Sequence, residues 1–281
     1  MPELPEVETV KEALNQTVKG QTIKEIELRY EPMVKNMSAD EFKEKLINQT
    51  IQAVSRRGKY LVFHFDDYQL LSHLRMEGKY FYVDSDFELN PHVHVIFTLE
   101  NGKRLLYQDT RKFGTYHLYD KAIDLETTAP FQVLGLEPFA TEFTPSYVKE
   151  KIQNKKKPIK SLLLDQTVVC GLGNIYVDEV LYRARLHPLT SSSELTDKDI
   201  ENVVKYTVEV LARAIELGGT TIRTFRSSHG VSGTFQNELL VHQRKGENCY
   251  ECHTPIEKIK VGGRGTYFCP TCQKLTVKEM K

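Results

Sequence analysis

Apolar residues in the first twenty positions recur at spacings of three and four: Val7, Val10, Leu14 and Val18. That period predicts an amphipathic helix. Pro5 suits its first turn, Glu3, Glu6 and Glu8 suit the positive end of its dipole, and Gly20 stops it. The pattern then shortens. Ile23, Ile26, Leu28 and Tyr30 predict a strand over 22–30, and Ser38 or Asp40 caps a short helix over 38–48. From 51 to 119 apolar and polar residues alternate in short runs: 51–57, 59–65, 69–74, 79–83, 92–99, 104–108 and 115–119. Turn signals separate the runs, among them Asp66-Asp67, Glu77-Gly78 and the hairpin pair Asn101-Gly102. Short strands at this spacing predict an antiparallel β-sandwich.

Residues 120–144 carry Pro130, Gly135 and Pro138 with no clear period, which predicts a linker. Beyond it the period becomes helical, over 146–154, 159–164 and 173–186, the last ended by His187-Pro188. Thr196-Asp-Lys-Asp199 resembles a capping box and opens a long helix with Ile200, Val203, Val204, Val208, Leu211 and Ile215 on one face. Gly218-Gly219 stops it. Residues 219–238 are polar and glycine-punctuated, and a mobile loop is expected there. The class is therefore α+β and multidomain, and 281 residues suffice for two cores.

The formal net charge is zero, which argues against a protein that simply coats nucleic acid. The charge is uneven, however: residues 219–281 hold ten basic and five acidic side chains, a modest footprint for nucleic acid at one end. No apolar run approaches a membrane span and the acidic N-terminus is not a signal peptide, so a cytoplasmic location is expected.

Four of the five cysteines form two Cys-x-x-Cys pairs, Cys249/Cys252 and Cys269/Cys272, sixteen residues apart. This spacing suits one tetrahedral zinc ion held by four thiolates, a closed and hence structural site. Between the pairs, Val261-Gly-Gly-Arg-Gly265 predicts a tight hairpin tip projecting Arg264, which either grips a phosphate or is a solvated turn residue. Lys155-Lys-Lys-Pro-Ile-Lys160 precedes Gly171-Leu-Gly-Asn174, a glycine turn opening a helix, whose free backbone N–H groups suit an anion. His73, Arg75 and Met76 at one strand end, and Arg111 and Phe113 in Asp109-Thr-Arg-Lys-Phe-Gly114, add basic, aromatic and thioether groups at turns, as a nucleic-acid groove needs. At the N-terminus, trimming of Met1 would leave Pro2 with a free secondary amine, which titrates near ~7.7–8.0 and is a nucleophile at neutral pH. Glu3 places a proton-transferring carboxyl beside it. The plainer alternative is that Pro2 and Pro5 only start a helix.

Pro2-Glu-Leu-Pro-Glu-Val-Glu8, Ser72-His-Leu-Arg-Met-Glu-Gly78, Asp109–Gly114, Asp165-Gln-Thr, Gly173-Asn-Ile-Tyr176 and the four-cysteine finger, in this order from residue 2 to about 273, resemble the bacterial formamidopyrimidine-DNA glycosylases. The resemblance implies a monomeric bifunctional glycosylase and abasic-site lyase of base excision repair that acts on oxidised purines in duplex DNA. It implies a sandwich domain over 1–130, a helix–two-turn–helix domain over 131–235 and a zinc finger over 236–281, with DNA in the cleft. It makes Pro2 the Schiff-base nucleophile, Glu3 the proton donor for base loss, Lys59 the donor for β-elimination and Arg264 the residue associated with δ-elimination. His92, Arg111 and a lysine of the repetitive 155–160 run, taken as Lys155, match DNA-binding positions, and His73, Asn174 and Lys160 match phosphate contacts. Met76, Arg111 and Phe113 are suited to filling the stack vacated by an extruded base. The alternatives are the sister enzyme endonuclease VIII, which removes oxidised pyrimidines, and a zinc-ribbon lesion-binding protein without catalysis.

Overall fold

The computed structural model of the chain describes residues 2–220, the backbone of 225–226 and residues 233–275. Its contacts divide the chain into two compact units. One holds Met1–Gln132 with Leu217–Thr234, the other Val133–Glu216 with Phe235–Lys281. In this grouping 217–234 lies with the sheets and the cysteine module with the helices.

In the first unit α1 (Leu4–Thr17) buries Val7, Val10 and Leu14, as its period predicts. β1 (Ile23–Leu28) follows, then α2 (Ala39–Leu46), whose N-cap Ser38 side chain accepts from Glu41 N at 3.2 Å. The strands β2 (Ala53–Arg57), β3 (Tyr60–His64), β4 (Tyr68–His73), β5 (Lys79–Val83), β6 (Val93–Leu99), β7 (Arg104–Gln108) and β8 (Thr115–Asp120) fall close to the predicted runs. They form two sheets, β2-β3-β4-β8 and β1-β6-β7-β5-β9, antiparallel except for the two-residue β9 (Phe225–Arg226), which runs parallel to β5. Phe63 and Leu70 from one sheet, Val95 and Phe97 from the other, and Val10 from α1 share a single core. Several strands are buried at consecutive positions, as at Leu61, Val62 and Phe63 of β3, and Val93, Ile96 and Leu106 form a separate buried cluster. The expected linker is partly structured. A turn at Phe131–Val133 buries Phe131, whose ring lies 5.3 Å from that of Tyr60. Of the expected mobile loop, 221–224 and 227–232 lie outside the described residues.

The second unit contains α3 (Pro145–Ile152), α4 (Ile159–Leu164), α5 (Asn174–Arg183), α6 (Asp197–Glu216) and the hairpin β10 (Glu257–Val261) and β11 (Arg264–Phe268). α6 buries Ile200, Val203, Val204, Thr207, Val210, Leu211 and Ala214. Val208 and Ile215, expected on that face, are only half-buried. Thr207 and Ala214 take their places, because small and threonine side chains pack in a helical stripe that an aliphatic count overlooks. α5 ends three residues earlier than its pattern: Arg185 adopts a left-handed φ of 60°, which no continuing helix permits. Among the described residues no helix is long and apolar enough to cross a membrane.

Candidate active site and metal centre

The start of α1 is built by carboxylates. Glu3 is the N-cap and is buried, and its N–H donates to Glu6 Oε2 at 2.9 Å. Glu6, also buried, accepts on Oε1 from Thr220 N at 2.9 Å and Thr220 Oγ1 at 3.1 Å. One carboxylate thus ties the residue beside Pro2 to the first residues of the 217–234 segment. Pro2 is buried too. A turn further along α1, Glu8 Oε2 accepts from Arg56 Nε at 2.8 Å, and Arg56 Nη1 donates to Gly58 O at 2.9 Å. Gly58 has φ 57°, the left-handed geometry that its turn between β2 and β3 requires, and Lys59 follows it. Burial pushes the Glu8 carboxyl up, but hydrogen bonds from Lys11 and Arg56 outweigh that and hold it below its ordinary value. The first helix and the lysine turn are therefore wired together through a charged pair.

Lys59 is 7% exposed and His73, at the end of β4, 8%. The His73 ring packs edge-on against Tyr60 at 4.4 Å. Burial first, then the charges of Arg75 and Lys59, lower its pKa to about 3, so it is neutral at pH 7. Its Nδ1 accepts from Arg75 N at 2.9 Å. A lone pair is thus required on Nδ1, and the proton resides on Nε2, an uncharged donor suited to a phosphate oxygen.

Asp109, fully buried after β7, organises the next turn. Its Oδ1 accepts from Arg111 N at 3.0 Å, and its Oδ2 from Phe113 N at 2.9 Å and Gly114 N at 2.8 Å. Lys112 is held at φ 57°. The loop brings the predicted void-filling side chains together: the Arg111 guanidinium lies 4.7 Å from the centre of the Phe113 ring, and its Nη1 lies 3.1 Å from Met76 Sδ. Phe113 is 49% and Met76 38% exposed, so both apolar side chains present part of their surface to solvent beside Arg111. His92 is exposed and joins the same end of the sheet, its carbonyl accepting from Asp109 N at 2.9 Å. Beneath the two turns lies the Tyr107 hydroxyl. A Cβ on Gly78 would come within 2.3 Å of it, and one on Gly114 within 1.8 Å.

In the second unit the sulfurs of Cys249, Cys252, Cys269 and Cys272 all lie within 4.8 Å of one another. Cys249–Cys272 is 3.9 Å and Cys252–Cys269 3.3 Å. Four thiolates ~2.3 Å from a tetrahedral zinc are about 3.8 Å apart, so the donor set fits one such ion. The Tyr182 hydroxyl, 3.1 Å from Cys249 Sγ, supports that ligand from outside the sulfur shell. The hairpin tip is as predicted: Gly262 and Gly263 have φ 55° and 78°, and Arg264, paired with Val261, is exposed. Asn174 is the first residue of α5 and its Nδ2 donates to Gly265 O at 2.9 Å, so it touches the residue after Arg264. Lys155 is half-buried, whereas Lys156 and Lys157 are exposed.

Lys160 lies apart from the exposed lysines of its run. Expected at a phosphate, it is fully buried, with Nζ 2.7 Å from Asp178 Oδ1. A basic run reads as surface, but α4 begins at Ile159 and turns this one lysine inward. The sequence reading gave no site role to Glu6, Glu8, Arg56 and Asp109, which hold the predicted groups, or to Asp178, Glu179 and His242, which meet around Lys160 and the 240–242 backbone. Asp109 had a visible signal, an aspartate two residues before the turn cation and five before its glycine. Asp178-Glu179 had none, since an acidic pair inside a helix reads as a solvated face.

The chain matches three family domains: the formamidopyrimidine-DNA glycosylase N-terminal domain over residues 1–116, its H2TH domain over 134–226, and the zinc finger found in FPG and IleRS over 246–275. It is 48% identical over 275 residues to the formamidopyrimidine-DNA glycosylase of Bacillus licheniformis, covering 98% of this chain and 100% of that one. The Bacillus subtilis counterpart is 48% identical over 274 residues, covering 97% and 99%. Among solved structures, wild-type Lactococcus lactis Fpg in complex with DNA containing N7-benzyl-Fapy-dG superposes with a TM-score of 0.90 at 44% identity, covering 97% of this chain and 100% of that one. The same organism's protein in complex with DNA containing an abasic site gives 0.89 at 43%, covering 97% and 99%.

Proposed function

The chain belongs to the formamidopyrimidine-DNA glycosylase family, and from that premise we propose that it excises oxidised purines from duplex DNA in the cytoplasm as a monomer and then cleaves the strand at the abasic site. With Met1 removed, the Pro2 nitrogen attacks the sugar C1′ of the extruded nucleotide. The glycosidic bond breaks, its electron pair leaves with the base, and Glu3 supplies the proton. The amine nitrogen then loses its proton and the C1′–O4′ bond opens with O4′ taking up a proton, which leaves an iminium that acidifies C2′–H. Loss of that proton expels the 3′ phosphate, and a second elimination expels the 5′ phosphate. Lys59 and Arg264 supply protons or stabilise charge in these two steps. His73, Asn174, His92 and Lys155 grip the backbone without reading sequence, while Met76, Arg111 and Phe113 fill the vacated stack.

The observation that carries this reading is the chain of contacts from Glu8 through Arg56 to Gly58, which couples the helix behind Pro2 and Glu3 to the turn of Lys59. The solved relatives bind DNA with a formamidopyrimidine lesion or an abasic site, the substrate and intermediate of the proposed sequence. Borohydride added during turnover on 8-oxoguanine duplexes should trap a covalent adduct on Pro2, and Pro2→Gly should abolish both trapping and strand cleavage. An adduct mapped to Lys59 would overturn the assignment. Preferential trapping on oxidised-pyrimidine duplexes would favour an endonuclease VIII-like specificity.

A further inference from the structure

Asp178 sits fully buried on α5, and four groups converge on it or on its lysine partner. Its Oδ1 takes Lys160 Nζ at 2.7 Å, and its Oδ2 takes His242 Nδ1 at 2.8 Å and Tyr267 N at 3.2 Å. Lys160 Nζ also lies 3.4 Å from Gly265 O, the carbonyl that Asn174 Nδ2 holds at 2.9 Å. The neighbouring Glu179 accepts from the backbone N–H groups of Leu240, Val241 and His242 at 2.8–3.0 Å. Burial raises its pKa, and those same bonds oppose the rise.

We propose that the buried Lys160–Asp178–His242 network positions the β10–β11 hairpin against the start of α5 and so sets where the Arg264 guanidinium is held for the second elimination. Lys160 is on this account a positioning residue and not a DNA contact. The inference rests on the proposed role of Arg264.

The physical case is one of direction against bulk. The finger also packs through an apolar cluster that includes Tyr182, Val241, Ile256 and the cysteines. Apolar contact is non-directional and fixes association better than register. A buried ion pair is the reverse: weak as net stabilisation because of its desolvation cost, but specific in geometry. Here the directional bonds end on Gly265 and Tyr267, one and three residues beyond Arg264 in β11. Zinc shapes the cysteine end of the module, while this network anchors the strand that begins at Arg264.

The experiment uses the full-length zinc-loaded protein and a duplex with a preformed abasic site. The variants are Asp178→Asn, the charge-free double substitution Lys160→Met with Asp178→Leu, and Arg264→Ala. The double substitution leaves no uncompensated buried charge, so it remains informative if Asp178→Asn does not fold. Product ends are resolved into those from one elimination and those from both. Misplacement by about 1 Å can cost about 10²-fold, so the ratio of double to single elimination should fall between roughly tenfold and a hundredfold in the clamp variants, with zinc content intact. Amide exchange at Gly265 and Tyr267 should quicken in parallel. A wild-type ratio in folded clamp variants overturns the proposal wherever Arg264→Ala itself lowers that ratio. If Arg264→Ala leaves the ratio unchanged, the reading of Arg264 fails on its own, and unchanged amide exchange in the clamp variants then overturns the positioning claim.

Discussion

Replacing Asp109 by asparagine tests whether the Arg111 turn is preformed. The aspartate is fully buried and accepts three backbone N–H bonds at 2.8–3.0 Å. Asparagine has one oxygen and one NH2. Its better rotamer keeps the oxygen on Phe113 and Gly114 and turns the NH2 against Arg111 N, donor facing donor. One charge-assisted bond is lost at about 1.5–3 kcal/mol, and two become neutral at about 1 kcal/mol each, for roughly 3–5 kcal/mol in all. Against this, Lys112 already costs about 1–2 kcal/mol in its left-handed conformation, so the turn opens once its anchor weakens. A loss of about 3 kcal/mol lowers the population of the closed turn more than a hundredfold relative to the open one. The assay is single-turnover excision of 8-oxoguanine opposite cytosine, with amide exchange at Arg111, Phe113 and Gly114. Excision should drop by one to two orders of magnitude, and these three amides should lose protection together. Wild-type protection in Asp109→Asn, with normal excision, would refute the reasoning.

Three other outcomes follow from the site. A planar arginine fork matches the two acceptors of an orphaned cytosine, so Arg111→Ala and Arg111→Lys should both shrink a preference of roughly tenfold to a hundredfold for cytosine over adenine opposite the lesion; equal losses against both partners would make Arg111 a wedge only. Chelation of zinc, or Cys249→Ser, removes a contribution of about 10–16 kcal/mol from a small module and should abolish duplex binding while near-ultraviolet dichroism of the sheet unit persists; normal affinity without metal would exclude the finger as a DNA grip. His73 has its pKa depressed from 6.5 to about 3, so its contribution to stability is full above pH 6.5 and is lost as pH falls towards 3, because the unfolded chain takes up the proton first. Urea denaturation across that window should show a shallower pH slope in His73→Gln, and an unchanged slope would mean that the imidazole is protonated in the folded protein.

Much of this was legible in order along the chain. The strands of 51–119 could be read because alternation and turn pairs such as Asn101-Gly102 are local signals, and the finger because cysteine spacing encodes geometry directly. What escaped depends on partners far apart in sequence. Lys160 and Asp178 face inward only because α4 and α5 pack together, and no periodicity marks a charge that will be paired. Thr207 and Ala214 on the buried face of α6 were missed for a related reason: packing selects shape there, not hydropathy. The tie between Glu6 and Thr220 spans more than two hundred residues and had no local trace.

The hydroxyl of Tyr107 beneath Gly78 and Gly114 makes three distant positions answerable to one another. A methyl group at either glycine collides with an oxygen supplied from a different strand, and at Gly114 the ring carbon behind that oxygen is only 2.7 Å away. The loop of Met76 and the loop of Arg111 thus stand on a common floor, and neither can be remodelled alone. Changing Gly114 requires giving up the Tyr107 hydroxyl and ring together, whereas at Gly78 a Cβ also meets the Leu74 backbone, 2.5 Å from its carbonyl oxygen, so that turn is held by its own chain as well. A change at Gly114 therefore reaches through Tyr107 to the turn that carries Met76.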